Sequence, residues 1–415
     1  MIFEKIKKNE LFRGSLILFI LINIGNLINY LYQIIMARML GPSDYGILAV
    51  LISLTYIFAV PTIAIQTAVS KKIAILNVKK EYNKMNSLFF SFLRKLFMFS
   101  LIVFILFVIL SFFIIKPLNI SFWLLILTGT LIIASFIYPL ASGSLQGMKK
   151  FSALGWNTLL VFFIKIIAAI ILVIFGFKVY GAILGFLFGI IFGFIMALPY
   201  IKEIINANKD NDRVKILTKE NSLIFMAILV FVFIYSIDVI LARVFFPAEI
   251  VGQYAVLSTI GKMILFSTMS IGNVMFPISA ERHYVKARTS GIIKKASLYV
   301  FILCTIAVIL FIVFPELIIK LLFGNQYLEI ARLLPYLGIA FSFIAFLNIL
   351  ILYRISTDGL KLSHLLLIIL FLIAEVALLF LFNENIKQFT LAFMFSTIIT
   401  FIGAFIFVRK WKRSA

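Results

Sequence analysis

The chain has 415 residues, of which 64% are hydrophobic and only 13% are charged, and its mean hydropathy is +1.17. An average soluble domain is about half apolar and about a quarter charged, so this composition excludes a water-soluble globular protein and indicates one embedded in lipid. The formal net charge of +22 would point to nucleic acid in a soluble protein, but in a membrane protein its meaning depends on where the charges lie.

Twelve apolar runs long enough to cross a bilayer, about 20 residues each, follow one another along the chain. Unbroken runs of this length predict helices rather than the alternating strands of a membrane barrel. The first run follows a basic start, but it is too long for a signal peptide and lacks a cleavage pattern, so we predict an uncleaved span. The predicted spans are Leu16–Met36, Ile47–Val69, Leu96–Ile115, Phe122–Ser142, Leu154–Phe175, Tyr180–Tyr200, Leu223–Phe245, Ala255–Phe276, Ala296–Val313, Ala331–Leu352, Leu365–Phe382 and Phe389–Val408.

The 38 lysines and arginines are distributed unevenly among the loops. With the N-terminus inside the cell, 29 lie in cytoplasmic segments, seven on the other side and two within spans. By the positive-inside rule this pattern predicts cytoplasmic N- and C-termini in a multi-pass protein of the cell membrane. The same residues face anionic membrane lipids, so the net charge does not require nucleic acid.

Two stretches of the chain, residues 30–51 and 235–257, repeat one another. Nine positions are identical, including an arginine, a proline and a glycine near the turn that follows each helix. The alternative is chance similarity between two apolar helices. Because six spans separate the copies, both halves cross the membrane in one direction and are predicted to be related by a pseudo-twofold axis along the membrane normal. The predicted domains are an N-terminal lobe of helices 1 to 6 (1–201), a cytoplasmic linker (202–220) and a C-terminal lobe of helices 7 to 12 (221–415).

A stripe of polar residues follows one face of the first span. Asn23, Asn26, Tyr30 and Gln33 are spaced by three, four and three residues, so they fall within about 80° of arc, with Asn29 just beside them. Amides in hydrocarbon are costly unless they meet water or partners. The stripe therefore predicts a wet cavity, and the alternative is that it joins neighbouring helices.

The seventh span carries the repeat equivalent of this face. Tyr235 corresponds to Tyr30, and Asp238 takes the place of Gln33. Two equivalent helices facing each other would line one cavity, with Asp238 as its negative charge. That carboxylate could bind a proton or a sodium ion, or it could pair with Arg243 or another basic residue.

Three more charges lie near mid-membrane: Lys165, Lys262 and Glu375. One interpretation is buried ion pairs, such as Lys262 with Glu375. The other is that both lysines face the cavity and attract an anionic headgroup such as a pyrophosphate, with Glu375 a second candidate for ion coupling. Weaker candidates of the same kind are Gln66, Asn157 and Asn273.

No catalytic, nucleotide-binding or metal-binding motif is present in the sequence. The two histidines are isolated, and the single cysteine, Cys304, lies in an apolar run. We therefore expect a protein that is not an enzyme and that has no cofactor, apart from a possible coupling Na⁺ or H⁺, and no metal site.

Four stretches together resemble one protein family. They are "ARMLGPSDYGILAV", "SLQGMKKF", "IDVILARVFFPAEIVGQYAV" and "PELIIKLLFGNQYLEIARLL". They resemble the polysaccharide transporters of the multidrug/oligosaccharidyl-lipid/polysaccharide exporter superfamily, which include Wzx-like flippases. The resemblance covers nearly the whole chain in order.

The resemblance implies two six-helix lobes around a central cavity that opens to each side in turn. It implies a polyprenyl-linked (pyro)phosphate sugar as the substrate, and glycosyltransferases or a polymerase of the same pathway as partners. In relatives, helices 1, 2, 7 and 8 line the cavity, which points here to the stripe on the first span, Gln66, Asp238 and Lys262. Two features differ, because many relatives have fourteen spans and several cavity arginines, whereas this chain has twelve predicted spans and no arginine at the middle of one.

The sequence leaves other functions open. A cation-coupled drug or metabolite exporter could use the same fold, and a net negative cavity would favour it. A membrane-embedded glycan-modifying enzyme would need catalytic residues in larger loops. A non-transporting scaffold would not need the polar stripe.

Overall fold

The computed structural model describes residues 10–209, 220–357 and 359–411, and this part of the chain is helical and contains no strand. The predicted all-α membrane fold with twelve long helices is confirmed. In chain order they are α1 and α2, the two arms (10–40 and 42–78) of the helix Glu10–Val78, then α3 Tyr82–Leu118, α4 Phe122–Gly147, α5 Phe151–Leu172, α6 Lys178–Ala197, α7 Glu220–Ile234 with Ile237–Phe245, α8 Ala248–Tyr284, α9 Ser290–Val313, α10 Leu334–Ser356, α11 Leu362–Leu381 and α12 Ile386–Trp411.

In the described chain, nine helical segments are long and apolar enough to cross a membrane. The bent pair in α7 makes ten if it is counted as one span. Two of these segments, Asn23–Val78 and Phe151–Ile205, each contain two of the twelve helices. α3 and α8 are each 37 residues long. They extend beyond the predicted spans because a bilayer limits the apolar part of a helix to about 20 residues but does not end the helix.

The chain groups into two compact units. The first comprises Met1–Leu40 and Phe58–Thr218, and the second comprises Gly41–Ile57 and Lys219–Ala415. Residues 41–57, at the start of α2, thus pack within the second unit, whereas the predicted N-terminal lobe (1–201) includes them. Of the predicted linker, residues 202–209 form a short helix and turn, and residues 210–219 lie outside the described part.

Two helices present broad apolar surfaces outward. On α3 the side chains of Leu106, Phe112 and Phe113 are at least 60% exposed, and on α9 Phe301 and Ile312 are more than half exposed. A soluble protein rarely exposes contiguous apolar surface on this scale. Lipid chains are the solvent that such faces require.

In the first unit, a row of glycines brings α6 against α5. Gly185, Gly189 and Gly193 recur every fourth residue on one face of α6. A Cβ at Gly185 would lie 2.6 Å from the carbonyl oxygen of Lys165, and one at Gly189 would lie 2.6 Å from that of Val161. Close backbone approach through small residues is a usual basis of helix packing in membranes. Here it places the middle of α6 directly beside Lys165.

In the second unit, two glycines related by the repeat pack on each other. A Cβ at Gly46 would lie 2.5 Å from the carbonyl oxygen of Ala248, and one at Gly252 would lie 1.8 Å from that of Pro42. The turn before α2 needs a further glycine, because Gly41 has a φ of 74°, a left-handed conformation that side chains disfavour. This contact explains why residues 41–57 belong to the second unit.

α7 is broken at its middle. Its two parts, which end at Ile234 and begin at Ile237, are inclined by 43° to each other. The break places Asp238 in the first turn of the second part, where the positive end of the helix dipole favours a negative charge. A broken transmembrane helix with a charged group at the break is typical of ion and substrate sites in transporters.

We expect Gly252→Ala to lower the thermal stability of the purified protein in detergent by several degrees. The added methyl meets the Pro42 carbonyl, which is backbone and cannot rotate away, and overpacking of this kind costs about 1–3 kcal/mol. Gly291→Ala is the matched control, since no atom lies within 4 Å of a Cβ there and alanine favours the helix. Equal melting temperatures for the two variants would contradict the contact.

Candidate functional site

The polar face of α1 becomes more buried along the helix. Asn23 and Asn26 are exposed, Asn29 and Tyr30 are half-buried, and Gln33 is buried. An exposed amide at membrane depth cannot face hydrocarbon without a large loss of hydrogen bonding. The exposed end of this face is therefore suited to a water-filled space, and the face continues from there into the protein interior.

The face reaches a buried lysine. Lys165 on α5 is 3% exposed, and its Nζ donates a hydrogen bond to Oδ1 of Asn29. The Nζ also lies 3.9 Å from the centre of the Phe186 ring, 4.1 Å from that of Tyr32 and 5.7 Å from that of Phe162. We call this arrangement of Asn29, Tyr32, Phe162 and Phe186 the Lys165 cage.

The Lys165 cage surrounds the lysine nitrogen with groups that can replace water but carry no negative charge. Aromatic faces attract a cation by about 2 kcal/mol or more when water is excluded, and the amide adds one hydrogen bond. In the described part of the chain, no carboxylate forms an ion pair with Lys165. A positive charge held in this way is suited to attract an anionic ligand.

The second unit buries its central charge differently. Asp238 is fully buried and accepts hydrogen bonds from Ser258 at 2.6 Å and Tyr254 at 3.3 Å. The Nζ of Lys262 lies 3.4 Å from its other oxygen, so the two residues form an ion pair. Tyr254, Ser258 and Lys262 recur every four residues on one face of α8, which the packing turns toward α7.

Glu375 on α11 completes this cluster. It is fully buried, and neither of its carboxyl oxygens has a hydrogen-bond partner in the described structure. Both Asp238 and Tyr254 lie within electrostatic range of it. Lys262 thus pairs with Asp238 and not with Glu375. A buried carboxyl group without hydrogen-bond partners is costly to hold as an unpaired charge.

The other predicted residues have less distinctive surroundings. Gln66 is half-buried and donates a hydrogen bond to Gln146 at 3.1 Å. Asn157 links α5 to α6 through the backbone oxygen of Gly193 at 2.7 Å, a structural contact. Tyr235 is buried at the break in α7, where its ring lies 6.0 Å from that of Tyr56. Asn273 is exposed on α8.

Sequence reasoning missed several members of both clusters. Tyr254 and Ser258 could have been found, because they precede Lys262 at intervals of four, at and just before the start of the eighth predicted span. Tyr32 and Phe186 gave no signal, since aromatic residues are common along every span. Only the packing of α1, α5 and α6 brings these two rings to Lys165.

Comparison with known proteins gives one family and one fold. The model of the family described as "Polysaccharide biosynthesis protein" matches residues 11–283. A comparison with curated protein sequences gives no match.

Three solved structures with the same fold are two transporters and a flippase. A multidrug resistance MATE family transporter of the MOP superfamily, in an inward-facing conformation, aligns with a TM-score of 0.73 and 13% identity, covering 94% of this chain and 96% of that chain. The lipid II flippase MurJ, in an inward closed conformation, aligns with a TM-score of 0.68 and 17% identity, covering 95% and 87%. The eukaryotic MATE transporter AtDTX14 aligns with a TM-score of 0.67 and 14% identity, covering 96% of each chain. At these identities the likeness concerns the fold.

We expect Asp238→Asn to destabilise the protein by about 3–5 kcal/mol, because it leaves the buried Lys262 ammonium without its counter-charge. Adding Lys262→Met should recover most of this loss, since both charges are then removed. Chemical denaturation in detergent measures the difference. Glu249→Gln, which removes an exposed carboxylate at the start of α8, should have a small effect. A double variant as unstable as Asp238→Asn would show that the pair is not coupled.

Proposed function

This chain belongs to the polysaccharide biosynthesis protein family, and from that premise we propose that it is a flippase for a lipid-linked oligosaccharide. Its substrate is a polyprenyl-linked (pyro)phosphate sugar, which it moves from the cytoplasmic to the outer leaflet by alternating access. The family and the structurally similar proteins support a multi-pass membrane transporter of the flippase or exporter class rather than an enzyme.

The observation that carries the proposal is the buried amino group of Lys165. It lies at membrane depth without a carboxylate partner in the described chain, whereas Lys262 is already paired with Asp238. A phosphate or pyrophosphate supplies the missing negative charge through charge-assisted hydrogen bonds. Its binding would compete with the Lys165 cage for the ammonium, and the long lysine side chain allows that exchange.

The polar face of α1 suits the rest of the headgroup. Sugar hydroxyls need both donors and acceptors, and an amide side chain offers both. Asn23 and Asn26 are exposed on the face that leads to Asn29 and Lys165. We assign this face to the saccharide and the lysine to the phosphate, while the polyprenyl tail stays in the bilayer.

The proposed setting follows from the charge distribution. With both termini in the cytoplasm, the cytoplasmic segments hold 29 of the 38 basic residues and face anionic lipids. The protein would then lie in the cytoplasmic membrane and receive its substrate from glycosyltransferases of the same pathway. A polymerase acting on the other side is a suitable further partner.

We expect the purified protein in proteoliposomes to move a fluorescent polyprenyl-pyrophosphate sugar between leaflets. Lys165→Met should lower the rate at least tenfold, because loss of a charge-assisted bond to phosphate costs about 1.5–3 kcal/mol and the variant keeps the side-chain volume. Accessibility of the label to a membrane-impermeant quencher measures the movement.

Lys116→Met is the matched control, since that lysine is exposed at the end of α3 and its loss should leave the rate unchanged. A wild-type protein that leaves the lipid in place but moves organic cations along an ion gradient would replace the flippase with a cation-coupled exporter. Equal flipping rates for Lys165→Met and the wild type would show that Lys165 does not bind the phosphate.

We further propose that Asp238 and Glu375 couple transport to a proton or sodium gradient. Glu375→Gln keeps the shape of the side chain but removes the group that binds the ion, so flipping should become insensitive to both gradients. The measurement compares rates with and without each imposed gradient. Glu384→Gln, an exposed change just beyond α11, should retain the wild-type response. A Glu375→Gln variant that retains it would exclude Glu375 as the coupling group.

A further inference from the structure

We propose that the Lys165 cage is a binding site for an alkylammonium ion that the chain fills with its own lysine. Lys165 thereby determines selectivity, since it excludes organic cations from the first unit and leaves a positive charge for anions. This inference deepens the proposed function and rests on it only for the identity of the anion. Whether the cage binds ammonium ions can be tested without any lipid substrate.

The geometry is that of a built cation site. The Tyr32 and Phe186 rings stand almost perpendicular, at 85°, with centres 5.1 Å apart. The Nζ of Lys165 lies about 4 Å from both centres, at 4.1 and 3.9 Å, well inside the 6 Å range of a cation–π contact. Asn29 accepts a hydrogen bond from the same nitrogen. Aromatic walls with one acceptor are the means by which proteins recognise alkylated ammonium groups.

The walls are held independently of the lysine. The Tyr32 hydroxyl donates a hydrogen bond to the carbonyl oxygen of Ala182 at 3.0 Å, which fixes its ring against α6. Phe186 lies between Gly185 and Gly189, the glycines that allow α6 to approach α5 closely. Removal of the lysine side chain should therefore leave the rings in place around an empty position.

The ammonium of Lys165 occupies the position that an external cation would take. It fills the space between the rings and repels a second positive charge at close range. Lys262 in the second unit does not play this role, because it forms an ion pair with Asp238 and its Nζ lies 5.7 Å from the centre of the Phe341 ring. Lys165 in the first unit, and not Lys262 in the second, is therefore the residue that excludes organic cations.

The test uses Lys165→Ala, purified in detergent, with ethylammonium chloride as the probe. Ethylammonium is short enough to enter the vacated space, and it should raise the melting temperature of this variant in a saturable way, by roughly 2 °C or more. The wild type and Lys165→Met should show no saturable rise, because their side chains still fill the site. Ethanol, which has a similar size and no charge, and sodium chloride at equal ionic strength should have no effect on the variant.

A second pair of variants tests the walls. Lys165→Ala combined with Phe186→Leu should lose the response to ethylammonium, whereas Lys165→Ala combined with Phe188→Leu should keep it, because Phe188 is 45% exposed on the same helix. If Lys165→Ala does not fold, Lys165→Ser opens the same space and gives the same comparison.

The proposal is overturned if the folded Lys165→Ala or Lys165→Ser protein shows no saturable response, or if the wild type responds equally. It is also overturned if the response survives the loss of Phe186. Because the assay contains no lipid-linked sugar, failure of the flipping experiment leaves this result standing, and the reverse is also true.

Discussion

The absence of water from the bilayer core is the constraint on which the rest of this structure depends. Backbone groups must be satisfied within each segment, so the described chain is helical. A charged side chain at that depth is costly unless the protein replaces its water shell. The few charges retained near mid-membrane, Lys165, Asp238, Lys262 and Glu375, are therefore the residues around which each unit has to be arranged.

The two units replace that water shell in different ways. In the first, aromatic faces and one amide surround the Nζ of Lys165. In the second, Lys262 and two hydroxyl groups neutralise and bind Asp238. The remaining acid, Glu375, has no hydrogen-bond partner in the described structure. The two units therefore surround their buried charges with different side chains, aromatic rings and an amide in the first and an ion pair with two hydroxyl groups in the second.

Close helix packing makes both arrangements possible. The glycines of α6 bring Phe186 to Lys165, and the break in α7 turns Asp238 toward the polar face of α8. Glycine has a second use at the contact between Gly46 and Gly252, where identical positions of the repeat meet within the second unit. Small residues therefore determine where the backbones approach, and the large side chains beside them determine the chemistry.

Sequence alone predicted the helical membrane fold and its twelve helices, because the length of an apolar run is a local property that lipid enforces. The family was indicated by a resemblance in four motifs, and the family model confirms it. The sequence also identified the four charges near mid-membrane, Lys165, Asp238, Lys262 and Glu375, since a charged residue stands out in an apolar run. It did not identify the partner of each charge. Lys262 could pair with Asp238 or Glu375, and nothing in the pattern distinguished Tyr32 and Phe186 from the other aromatic residues. Those choices were decided by the tertiary structure, because contacts such as that between residues 32 and 165 depend on helix crossings that no local pattern records.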